Sequence, residues 1–120
     1  MHEIGIESSL VDAIRRGDKT VEGRLGKPRF LAIQPGDTLA IREDVWREGT
    51  LVESHDQAVQ AIVTQVLYFE TFREMLEAVG YEAAIPGASS LEDALAVYRA
   101  FYSPADEAAH GVVALFIRAD

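Results

Sequence analysis

Gly17-Asp18-Lys19-Thr20-Val21-Glu22-Gly23-Arg24 sets a glycine, a lysine, a glutamate and an arginine at the spacing G-x-K-x-x-E-x-R, on the junction between a short helix and an extended segment. Upstream, Ser8 or Ser9 caps the helix, Leu10, Val11 and Ile14 share a face, and Arg15 and Arg16 suit its C-terminal dipole. Gly17 follows where a left-handed residue commonly ends a helix, so Asp18 and Lys19 form the turn. From Thr20 to Leu25, alternation puts Thr20, Glu22 and Arg24 on one polar face and Val21, Gly23 and Leu25 on the other. Glu22 and Arg24 therefore point the same way and can hold each other, while Lys19 offers a mobile ammonium. Strict alternation sends Lys19 to the opposite face, so the three converge only if Lys19 sits in the turn or at a bulge. Such a trio can grip a phosphate or a polar base edge. If it is buried, desolvation depresses the lysine pKa or raises that of the glutamate, and either becomes a general base. A strand face laced with salt bridges would look the same in sequence.

On either side of this octet the pattern is mostly that of strands. His2, Ile4 and Ile6 alternate, and Phe30 to Ile33 is expected as a second strand running into Gln34-Pro35-Gly36-Asp37, a type II turn with proline and glycine at its centre. Thr38 to Arg42 leaves as a strand, Val45 to Glu53 suits a hairpin about Glu48-Gly49, and Ala58 to Tyr68 is a longer β-branched run. The period then changes. Thr71 with Glu74 forms a capping box for a helix carrying Phe72, Met75, Leu76 and Val79, which Gly80 ends. After an irregular link with Pro86 and Gly87, Ser89 with Glu92 opens a helix whose Leu91, Leu95 and Tyr98 face inward, and Ser103-Pro104 stops it. Gly111 to Ile117 is apolar at nearly every position, as a central strand covered on both sides would be. Strands in two blocks with helices between them give an α+β fold.

The chain has 120 residues, 48% of them hydrophobic, enough to fill one core of that size, so residues 1–120 are expected to form one domain. No run approaches the roughly 18 to 20 apolar residues of a membrane span, and the first residues lack the basic, then apolar, order of a leader. Zero cysteines exclude disulfides, thiolate metal sites and cysteine nucleophiles. Cytoplasm is the expected location. The net charge of −9 opposes a long nucleic-acid track, yet residues 15 to 29 hold six cations against two acids, a local +4 that leaves −13 elsewhere. That suits a local, ligand-sized contact on an acidic body. His2, His55 and His110 lack metal-site spacing, no metal or cofactor is expected, and no phosphate loop, nucleophile elbow or dinucleotide fingerprint is present.

The octet, its place after the first helix and the Gly36-Asp37 turn resemble the ASCH domain. Tyr98 with Phe101-Tyr102-Ser103 and the closing Gly111-Val112-Val113 strand also resemble the later part of ASCH proteins, so the likeness covers nearly the whole chain. The resemblance implies a small PUA-like β-barrel with flanking and inserted helices, and a link to RNA metabolism. Some members are ribonucleases, others amidohydrolases acting on acetylated cytidine. Carried over by position, it assigns Lys19, Glu22 and Arg24 to a ligand-facing cleft with Lys19 at its rim, and Gly17 to the turn that presents them. Were the chain a hydrolase, the same three would be catalytic, Lys19 or Glu22 moving a proton and Arg24 stabilising negative charge. The amidohydrolase branch has threonine where this chain has Glu22, and Thr20 stands one residue past Lys19 instead of three, which counts against acetylcytidine hydrolysis.

Tyr102 and Ser103, after the last helix, are expected to line the same cleft with a ring for base stacking and a hydroxyl for hydrogen bonding. Trp46 is expected to pack its hairpin against the barrel and is left outside the site. The leading function is binding of RNA or a nucleotide-like small molecule. The alternatives are a hydrolase using the same groups, or a protein-interaction domain relying on the acidic remainder and exposed aromatics.

Overall fold

The structure, a computed structural model, describes residues 1–120. In chain order the elements are β1 (His2–Glu7), α1 (Ser8–Arg16), β2 (Val21–Leu25), α2 (Pro28–Leu31), β3 (Thr38–Arg47) and β4 (Thr50–Phe69). They continue with α3 (Phe72–Val79), α4 (Tyr81–Ala84), α5 (Leu91–Arg99), α6 (Pro104–His110) and β5 (Val112–Ala119). The five strands form one mixed sheet in the order β1-β3-β4-β5-β2, parallel only between β1 and β3. It is an α+β fold in which the sheet curls into a half-barrel, so its two edges, β1 and β2, come to face each other across a seam.

Alternation along the strands divides the apolar residues between two cores. Val113, Leu115 and Ile117 of β5 point into one with Ile4, Ile6, Leu39, Ile41 and Val63, closed by Val11 and Ile14 of α1 and Phe30 of α2. Val112 and Ala114 point into the other, with Val21 and Leu25 of β2, under Phe72, Met75 and Leu76 of α3 and Leu95 and Tyr98 of α5. The last strand is thus interior in the sheet and covered on both faces, as its unbroken apolar run requires. Because Val21 and Leu25 go to the second core, Glu22 and Arg24 must turn toward the barrel interior and the seam.

Five expectations are corrected. The cap of α1 is Glu7 and not Ser8 or Ser9, its carboxylate accepting from the Ser9 N–H at 3.0 Å. Phe30 belongs to a helical turn and not to a strand, since Pro28 at its first position presets the helical φ and forfeits only an N–H that no helix start uses. The cap of α5 is Ser90, whose hydroxyl accepts from the Asp93 N–H at 3.1 Å, one residue later than the Ser89–Glu92 pairing. Ser103-Pro104 does not merely stop a helix; it opens α6, with Ser103 and Asp106 forming a reciprocal capping box. The link after Gly80 contains the short helix α4.

The β3–β4 hairpin turns at Glu48-Gly49, between Arg47 and Thr50, with both central residues at positive φ, 51° and 77°. This is the primed turn that matches strand twist, and its first position favours asparagine over glutamate because a left-handed backbone costs an ordinary side chain roughly 1–2 kcal/mol. Glu48→Asn is therefore expected to stabilise the protein by about 0.5–1 kcal/mol, measured as a rise in the urea midpoint at unchanged slope. No gain would mean that the turn is not held in this conformation.

Candidate functional site

Gly17 ends α1 at φ 83° with its N–H directed to Ala13 and Ile14, and this reversal drops Lys19 into the interior. Lys19 is 1% exposed. Its ammonium donates to the carbonyls of Val21 at 2.6 Å and Ala84 at 2.5 Å and stands 3.0 Å from Glu22 Oε1, which accounts for all three of its protons. The other Glu22 oxygen, Oε2, accepts from Arg24 Nε at 2.7 Å, and Arg24 Nη2 reaches across the seam to the Gly5 carbonyl of β1 at 2.6 Å. The guanidinium lies over the Phe30 ring at 5.4 Å. A continuous chain of charge thus runs from the floor of the second core, through Glu22, to the opposite edge of the sheet.

Burial alone pushes the Glu22 carboxyl upward, but the charges and hydrogen bonds of Lys19 and Arg24 together outweigh it and hold its pKa below the ordinary 4.5. The expectation of a glutamate raised toward a general base is corrected: two cations on one carboxylate stabilise its ionised form. Burial raises the phenols of Tyr98 and Tyr102, so both remain protonated.

A cleft of about 250 Å³ opens along the seam, lined on its polar side by Glu22, Gly23, Arg24, Asp44 and Glu7 and on its apolar side by Leu10, Ile85, Val97, Trp46, Tyr98, Phe101 and Tyr102. Glu22, Arg24 and Tyr102 therefore share one cavity. Lys19 is absent from its walls, buried behind Glu22, and the expectation of a mobile ammonium at the rim is corrected because carbonyls at both ends of its reach consume it. Ser103 also stays outside: it is exposed and its hydroxyl accepts from the Asp106 N–H at 3.1 Å as the cap of α6. Gly17 sits outside the cleft and acts on it only through the turn.

Several lining residues were not singled out from the sequence. Asp44 is 5% exposed and is held by Arg42 Nε at 2.7 Å and Ser54 Oγ at 2.8 Å. Trp46, expected to pack its hairpin, is instead 44% exposed at the rim, and Phe101 stands 68% exposed beside Tyr102 with ring centroids 6.3 Å apart. The i, i+3 and i, i+4 spacing of Val97 and Tyr98 at the end of α5 and Phe101 in the turn after it was the available signal for one wall. Nothing local connects that wall to Trp46. No group of three or more histidine, aspartate or glutamate side chains is placed to hold a metal ion.

A family model described as ASCH domain matches residues 4–118. Among solved structures, the hypothetical protein PH0355 is 31% identical with a TM-score of 0.83, the match covering 98% of this chain and 97% of that one. Protein PF0455 from Pyrococcus furiosus is 32% identical with a TM-score of 0.74, covering 98% and 96%. A point mutant of the ASCH protein ZmASCH from Zymomonas mobilis shares the fold at 16% identity and a TM-score of 0.56, covering 97% of this chain and 67% of that one. No curated protein matches the chain.

Because the folded Glu22 pKa lies below the unfolded value, its contribution to stability is complete above pH 4.5 and is lost as pH falls through the lower folded value. Glu22→Gln should remove that part of the acid slope, and at neutral pH should cost about 3–5 kcal/mol by leaving the Lys19 ammonium buried without a counter-charge. Adding Lys19→Met should restore part of the loss. Urea unfolding from pH 3 to 7 tests this; a Glu22→Gln protein as stable as the native one at pH 7 would show that the pair is not buried as described.

Proposed function

The chain belongs to the ASCH domain family, generally linked to RNA binding, and from the polar floor and aromatic rim of its seam cleft we propose that it binds a nucleobase, either of single-stranded RNA or of a nucleotide-like small molecule. The observation that carries this reading is the meeting, in one cavity, of a fixed Glu22–Arg24 pair with the rings of Trp46, Phe101 and Tyr102. Flat rings half in solvent can stack a base, while a carboxylate and a guanidinium in fixed geometry can hydrogen-bond its edge. At about 250 Å³ the cleft falls below the roughly 300–1,000 Å³ of drug-sized sites and suits one base more than an extended ligand.

The charge distribution favours the same ligand. Lys19, Glu22 and Arg24 together carry one net positive charge, and Arg29, whose guanidinium stacks on Phe30 at 4.9 Å and donates to the Glu3 carbonyl of the same β1 edge, has no carboxylate partner. Arg24 and Arg29 can meet the phosphate of one or two nucleotides, whereas the acidic body repels a long duplex. Proton transfer would require Lys19 to leave the partners that use all of its protons, and Glu22, its pKa lowered between two cations, is a weakened base, so we assign these groups to binding. Lys19 acts from behind, holding Glu22 in place. The same reading places the protein in the cytoplasm, where RNA and nucleotides are abundant.

Trp46 is the one tryptophan of the chain, so its fluorescence reports directly on the rim. Short single-stranded RNA or nucleosides should change that emission saturably at low salt. Phe101→Ala should weaken binding by about 5- to 100-fold, the range expected for one stacked base, with the melting temperature unchanged because the ring is exposed. Lack of binding by any oligonucleotide or nucleoside, or equal binding by the variant, would remove the basis of the proposal.

A further inference from the structure

Tyr98 is 6% exposed, and its hydroxyl is the single buried side-chain polar atom in the protein with no hydrogen-bond partner. Every other buried polar side chain, Lys19, Glu22, Asp44 and Glu107 included, is satisfied. Native proteins leave few such atoms unpaired, and each one calls for a physical account. The ring is anchored by stacking on Phe72 at 4.4 Å between centroids, and the hydroxyl lies beside Gly23, where an added methyl would come within 3.2 Å of it. Tyr98 therefore cannot turn its hydroxyl out to water, and it lines the seam cleft.

Arg24 lines the same cleft and keeps a donor free. Arg24 spends Nε on Glu22 and Nη2 on Gly5, while Nη1 meets no protein acceptor. Two donors lining one cleft suit an acceptor with two lone pairs, which a carbonyl oxygen has and a heteroaromatic ring nitrogen lacks. We propose that the Tyr98 hydroxyl and Arg24 Nη1 together receive an exocyclic carbonyl oxygen of the bound base, so that the cleft selects uracil, cytosine or guanine over adenine, which has no carbonyl. Burial keeps the phenol protonated and hence a donor. This rests on the nucleobase reading and narrows it to a ligand class, with Tyr98 as the residue that sets specificity.

The test is a titration of Trp46 fluorescence with uridine, cytidine, guanosine and adenosine at low salt, on the native protein and on Tyr98→Phe. The native protein should bind the three carbonyl-bearing nucleosides about tenfold or more tightly than adenosine, because an apposed group without an acceptor leaves buried donors unpaired. In Tyr98→Phe that preference should shrink to about twofold, while the ligand-free melting temperature holds or rises, since the deleted hydroxyl had no partner. A native protein without the preference, a preference that survives in Tyr98→Phe, or a variant that melts lower than native would each overturn the inference while leaving nucleobase binding standing. Absence of binding by the native protein to all four nucleosides would overturn the nucleobase reading and this inference with it.

Discussion

The buried carboxylate of Glu22 between two cations is the interaction on which the rest of the molecule turns. An ammonium with 1% exposure is tolerable only if each of its protons has an acceptor, and Lys19 finds them on Val21, on Ala84 and on Glu22. Through the first two it ties the start of β2 to α4. Through the third it steadies the group that in turn orients Arg24. The guanidinium then spans the two edges of the sheet by bonding the Gly5 carbonyl, where a closed barrel would have used main-chain hydrogen bonds. The seam is shut by a side chain, and so it can be a cleft.

This arrangement separates rigidity from recognition. The charged groups are immobilised from behind, at a desolvation cost offset by their mutual attraction, so their remaining hydrogen-bonding capacity points one way. The rings that rim the cleft belong to parts far apart in the chain, Trp46 to the β3–β4 hairpin and Phe101 to the turn after α5, and they are exposed enough to move against a ligand. A preorganised polar floor with an adaptable aromatic rim lowers the ordering cost of binding a small planar group.

The α+β class, the turn at Glu48-Gly49, the helix capped by Thr71 and the doubly covered last strand were all legible in the chain, because each depends on a local period or on a backbone angle that few residues adopt. Phe30 was not, since a four-residue apolar stretch fits a strand and a helical turn equally and only the preceding proline tips it. The pairing of Glu22 with Arg24 was legible too, being a consequence of strand alternation over two residues. The position of Lys19 was not. Its acceptors include a carbonyl 65 residues away, and an ammonium that looks mobile in sequence is immobile in the fold. Ser103 shows the opposite error, a hydroxyl beside a tyrosine that caps a helix not anticipated there.

By itself the sequence determined where strands and helices form, which residues share a face, and that a glutamate and an arginine stand together at the foot of the first helix. These are matters of periodicity and steric preference within a few residues. Only the tertiary structure decided that the lysine lies behind the site and not in it, that Trp46 and Phe101 rim one cavity, and that the Tyr98 hydroxyl is buried without a partner. Whether a polar atom is satisfied, and whether a ring meets solvent or protein, depends on what the curling of the sheet brings against it from distant parts of the chain, and no local pattern encodes that.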